Sequence, residues 1–95
     1  LGDQPVAVGS LQLADLKMTM RGGDTVVSEG VGSACLRHPL RAAWWVARTM
    51  AEGGQPIRAG EVVMSGALGP MVPTASGDRI VAEMGALGSV ACHFV

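Results

Sequence analysis

A β-rich α+β fold with a single helix is predicted for these ninety-five residues, on three observations. Apolar and polar side chains alternate with period two over residues 16–21, 79–84 and 89–95, the pattern of strands that bury one face. Glycine makes up 14 of the 95 residues, about twice the ordinary usage of roughly 7% and without a collagen repeat, so turns and strand ends are frequent. Only one stretch, residues 39–53, changes to helical spacing. Hydrophobic content of 48% marks a chain that folds, and the length suits one modest core, not two.

Residues 5–8 form a short extended piece ending at Gly9-Ser10. From Leu11 a strand is expected, with Leu16, Met18 and Met20 on one side and Lys17, Thr19 and Arg21 on the other. Arg21-Gly22-Gly23-Asp24 signals a tight hairpin turn, because glycine tolerates positive φ. Residues 25–31 then return, so residues 11–31 should be one antiparallel hairpin. Gly30-Val31-Gly32-Ser33-Ala34-Cys35 lacks the third glycine and immediate helix of a dinucleotide-binding turn. These glycines are expected to end a strand and direct the chain toward the helix.

The helix should begin at His38-Pro39, where the missing proline N–H is harmless, and end at Gly53-Gly54 ahead of Pro56. Leu40, Ala43, Trp44, Ala47 and Ala51 form its expected buried stripe; Arg41, Trp45, Arg48 and Glu52 lie opposite. Trp45 among charges has two explanations: packing flat beneath the Arg41 and Arg48 stems, or contact with another subunit or segment.

Val62-Val63-Met64, with Gly60 before it and Gly66, Gly69, Pro70 and Pro73 behind, reads as a short buried strand delivering a small-residue loop. In that loop Ser65, Gly66 and Gly69 offer backbone that a ligand can approach without a Cβ in the way. Such a turn suits an oxyanion or carboxylate, and equally a tight strand end with no ligand. Ser76-Gly77-Asp78 is a further turn, and residues 79–84 and 89–95 flank Gly85-Ala86-Leu87-Gly88 as a second hairpin.

A net charge of −1, with one lysine and scattered arginines, opposes nucleic-acid binding. The longest apolar run, residues 42–47, is far too short to span a membrane. No signal peptide is expected, and a start at Leu1 points to a fragment or cleaved product. Two cysteines make no disulfide framework, so reduced thiols and a cytoplasmic location are expected.

Few chemistries survive this inventory. Cys35-x-x-His38 with Cys92-His93 is a poor zinc set, since adjacent strand residues point to opposite faces. Ser65 lies in Met-Ser-Gly-Ala rather than a nucleophile elbow. Asp3, Asp15, Asp24, Glu29, Glu52, Glu61, Asp78 and Glu83 are single and dispersed, so no magnesium or manganese cluster is visible. The chain supplies a ligand-facing loop without a complete catalytic set.

Three ordered stretches carry a resemblance over nearly the whole length: residues 30–42 (GVGSACLRHPLRA), residues 59–73 (AGEVVMSGALGPMVP), and Gly77-Asp78 followed by residues 85–90 (GALGSV). Together they resemble 2-keto-4-pentenoate hydratases of the fumarylacetoacetate hydrolase-like superfamily, which also holds 4-oxalocrotonate decarboxylases. The resemblance implies that residues 1–95 are the C-terminal part of such a catalytic domain, within a mixed β-roll of antiparallel hairpins. It places Ser65, Gly66, Ala67 and Leu68 on the substrate pocket, and no metal ligand in this chain. Mg2+ or Mn2+ would be held by acidic residues upstream, leaving the ninety-five residues inactive alone.

The reaction so implied is hydration of 2-hydroxypenta-2,4-dienoate to 4-hydroxy-2-oxovalerate in aromatic meta-cleavage degradation. A divalent ion would grip the carboxylate and 2-oxygen while the dienol tautomerises. The alternatives are the decarboxylase, or a non-catalytic domain that binds small carboxylates or serves assembly. A homo-oligomer is also implied, with the Arg41/Trp45/Arg48 face as a contact.

Overall fold

A computed structural model describes all of residues 1–95. Two hairpins make one antiparallel sheet: β1 (Lys17–Gly22) with β2 (Thr25–Val31), and β3 (Arg79–Glu83) with β4 (Ser89–His93). The sheet order is β2-β1-β3-β4, with β1 and β3 joining the hairpins through pairs such as Met20 opposite Ala82. A single helix, α1 (Pro39–Glu52), completes the α+β architecture. It is too short to cross a membrane.

The period-two pattern is realised in the sheet. Met18, Met20, Ile80, Ala82, Met84, Val90, Cys92 and Phe94 share one face and line one cleft. Cross-strand pairs bring Ile80 opposite Cys92, and Ala82 opposite both Met20 and Val90. The first turn is Gly23-Asp24, where Gly23 takes a φ of +60°. The register of β1 on β2 shifts between Met20 and Arg21, leaving Val27 without an opposite partner as the bulged residue.

The first strand begins at Lys17, not Leu11. Residues 13–15 turn instead, and the segment crosses the end of β2, where the Leu16 carbonyl accepts from Gly32 N–H at 2.8 Å and the Ala14 carbonyl from Ser33 N–H at 2.7 Å. A Cβ on Gly32 would run into the Leu13 carbonyl, so this crossing needs glycine. The piece expected to be extended up to Gly9-Ser10 closes in a 3₁₀ turn, Val8–Ser10.

Residues 62–64 are not a strand. They make no backbone hydrogen bond, and Val62 and Met64 are 61% and 82% exposed. β-Branched residues prefer an extended chain, but a strand also needs a neighbour to pair with, and none lies alongside.

Helix α1 has nearly the expected bounds. The His38 ring accepts from Leu40 N–H through Nδ1 at 3.2 Å, and Pro39 opens the first turn. Gly53 caps the end and Gly54 follows with a φ of +78°. Its expected buried stripe is overturned: α1 buries no residue, Trp44 is 63% exposed, and Leu40, Ala43 and Ala51 also face solvent. Ala42, Val46 and Ala47 are the half-covered apolar positions of the helix. Periodicity identifies an apolar face, but burial requires something to pack on it. Just before the helix, Leu36 and Arg37 both take positive φ, +51° and +67°, a conformation that costs L-residues about 1–2 kcal/mol each.

Candidate functional site

The loop that follows Met64 lies along the apolar face of the sheet. Residues Ser65 to Val72 form one bank of a cleft of about 690 Å3, and Met18, Met20, Ile80, Met84 and Phe94 of the sheet form the other. That volume suits a small-molecule site. No Asp, Glu, Lys, Arg or His lines it; its polar side chains are the hydroxyls of Ser28, Ser65 and Thr74 and the Cys92 thiol.

The four predicted pocket residues do reach this cleft, but they differ in exposure. Ser65, Gly66 and Ala67 are exposed and Leu68 is half-buried. The Ser65 hydroxyl donates only to its neighbour, the Gly66 carbonyl, at 3.2 Å, a contact easily exchanged for one to a ligand. A Cβ on Gly66 would meet nothing within 4 Å, so its open side is free for an approaching group.

Gly69 plays a different part from the one its composition suggests. A Cβ there would lie 2.6 Å from Ser28 Oγ and against the Glu29 carbonyl. One on Gly30 would lie 2.6 Å from the Leu68 carbonyl oxygen. These glycines therefore let loop backbone rest on β2, and close approach to a ligand falls to Gly66 alone of the loop's two glycines. Ser28 Oγ–H, 5% exposed as a residue, donates to the Pro70 carbonyl at 2.7 Å. Sequence reasoning missed Ser28 altogether; the available signal was a lone hydroxyl in a strand two residues before a glycine.

The second predicted surface, on α1, is also altered in detail. Trp45 is 59% exposed, and the Arg48 guanidinium lies over Trp44, 5.7 Å from the ring centroid, not over Trp45. Arg48 also pairs with Glu52 at 2.6 Å. Arg41, Trp44 and Trp45 line a shallow surface groove with Leu36 and Arg37.

No three His, Cys, Asp or Glu side chains converge to hold a metal ion. The donor set of this chain does not fit a divalent cation. What the cleft can do is take up an apolar molecule with one polar end: the sheet face offers apolar side chains, and the Ser65 hydroxyl and the loop backbone supply hydrogen bonds.

Comparison with known proteins identifies the architecture. The family model described as fumarylacetoacetate (FAA) hydrolase C-terminal matches residues 2–95. The chain belongs to this family. Among fumarylacetoacetate hydrolase relatives, 2-keto-4-pentenoate hydratase 1 of Dechloromonas aromatica is 46% identical over 94 residues, covering 99% of this chain and 36% of that protein. The TodF product hydratase of Pseudomonas putida is also 46% identical, with 35% of its length covered. The chain thus spans about a third of the length of the curated relatives it matches. The solved 4-oxalocrotonate decarboxylase of Pseudomonas putida G7, complexed with calcium and acetate, superposes with a TM-score of 0.86 at 36% identity, covering 94% of this chain and 34% of that one. The same enzyme complexed with magnesium and adipate gives 0.85.

Proposed function

We propose that this chain is the C-terminal, pocket-lining part of a hydratase that converts 2-hydroxypenta-2,4-dienoate to 4-hydroxy-2-oxovalerate. The observation that carries it is the Ser65–Gly66 segment, open on one side and set over an apolar cleft, in a chain 42–46% identical to proteins named 2-keto-4-pentenoate hydratase. Its own residues act by binding, orientation and desolvation. Ser65 Oγ–H and the Gly66 amide hold the polar end of the dienoate, Ala67 and Leu68 shape the bank beside it, and the sheet face takes the hydrocarbon end. A divalent ion, Mg2+ or Mn2+, would supply electrophilic assistance from ligands outside these ninety-five residues, since the acidic groups here neither converge nor line the cleft.

The decarboxylase is the second reading, favoured by the solved enzymes that share this fold at 36% identity. Assaying the full-length polypeptide on both substrates decides between them: consumption of the dienol without carbon dioxide release is expected, and carbon dioxide release from 4-oxalocrotonate would reverse the assignment. Ser65→Ala in the same protein should lower kcat/KM by about tenfold or more with little change in Tm. Unchanged kinetics together with reduced stability would make the loop purely structural.

We also take the parent protein as a cytoplasmic homo-oligomer. The thiols of Cys35 and Cys92 are unpaired, and the exposed indole of Trp45 between Arg41 and Arg48 suits a contact between copies.

A further inference from the structure

We propose that Ser28 is a positioning residue, holding the Ser65 loop in register over the cleft through the Pro70 carbonyl. This rests on the assignment of Ser65 to the substrate, and goes beyond it by naming what fixes the loop.

Ser28 stands out in the chain's hydrogen bonding. Its 2.7 Å bond to Pro70 joins residues 42 apart, whereas every other side-chain hydrogen bond spans four residues or fewer. It is also one of only three buried residues in the chain, so the donor end of the bond is covered by protein while Pro70 lies at the exposed end. Close backbone contact surrounds it. Gly69 lies against Ser28 and Glu29, and Leu68 against Gly30, at separations that leave no room for a Cβ. Three successive residues of β2 therefore grip the downstream end of the loop.

The upstream end is left free. Residues 62–67 make no backbone hydrogen bond, and the Ser65 hydroxyl bonds only to its neighbour. A segment anchored at 68–70 and open at 65–67 depends on that anchor for the placement of its hydroxyl. Removing the Ser28 hydroxyl leaves the Pro70 carbonyl without its donor and lets the loop lift. A misplacement of about 1 Å at a binding group is enough to impair turnover.

The test uses the full-length protein carrying this segment, with Ser28→Ala, Ser65→Ala, the double variant and Gly69→Ala. Ser28→Ala should lower kcat by about tenfold. In the Ser65→Ala background the same change should cost less than about twofold, because the group it positions is gone. A purely structural serine would cost the same factor in both backgrounds, and that result overturns the proposal. Gly69→Ala, which pushes the loop off β2 from the other side, should reproduce the loss even if Ser28→Ala folds poorly; wild-type kcat in Gly69→Ala overturns it too. Crystal structures of the wild type and Ser28→Ala add a readout independent of the reaction. Displacement of residues 65–68 by about 1 Å supports the clamp, and superimposable loops refute it. A wild-type protein inactive on both dienoate and oxalocrotonate would instead discard the functional assignment, while the two structures still decide the clamp.

Discussion

The loop over β2 and helix α1 keep their shapes by different means. Between Ser65 and Pro70 there is no regular secondary structure, and the fixed end is held by one buried hydroxyl and two glycine contacts to a strand some forty residues earlier in the chain. α1 is held by its own sequence. It has the His38 cap, Pro39 in the first turn, Thr49 Oγ1 donating to the Trp45 carbonyl at 2.9 Å, the Arg48–Glu52 pair and the Gly53-Gly54 stop. It buries no residue of its own. Long-range contacts transmit a local change to the cleft, whereas short-range ones confine it to the helix.

Three substitutions press on that difference. Gly32→Ala strikes the long-range side hardest, since the added methyl would run into the Leu13 carbonyl where residues 13–16 cross β2. A loss of about 3 kcal/mol is expected in urea unfolding of the full-length protein, and wild-type stability would show that the crossing gives way cheaply. His38→Ala removes the cap on Leu40 N–H and should cost about 1 kcal/mol. Its effect should appear as reduced Tm with kcat unchanged; a loss of turnover would mean that α1 and the cleft are coupled after all. Arg48→Ala should be smallest, about 0.3–0.5 kcal/mol, because both partners of its ion pair are more than half exposed. A double-mutant cycle with Glu52→Ala measures that coupling, and a value several times larger would assign the pair a role beyond the helix surface.

Much of the fold was legible in the residues because its cues are local. Alternation around Met18 and Met20, and again around Ile80 and Ala82, marked the strands, and the glycines at 22–23 and 85–88 marked the turns. His38-Pro39 and Gly53-Gly54 bounded the helix to within a residue. The failures share a cause. Val62-Val63-Met64 has a strand's composition but no strand beside it, and the stripe through Leu40 and Trp44 has a core's spacing but nothing packed upon it. Ser65 through Leu68, which the resemblance places on a pocket, all line one cleft beside the sheet. The division of labour between Gly66, open to the cleft, and Gly69, pressed against β2, was invisible because it depends on which distant strand the loop meets. Ser28 was hidden for the same reason: nothing in Val27-Ser28-Glu29 announces a partner at residue 70.

The sheet face through Met20, Ile80, Val90 and Phe94 remains open along the cleft, in a chain where only three residues are buried. Apolar area that leaves water carries a calorimetric signature, a negative change in heat capacity. Molecules that settle on this face must therefore bind with an enthalpy that grows more favourable on warming, in proportion to the hydrocarbon they cover.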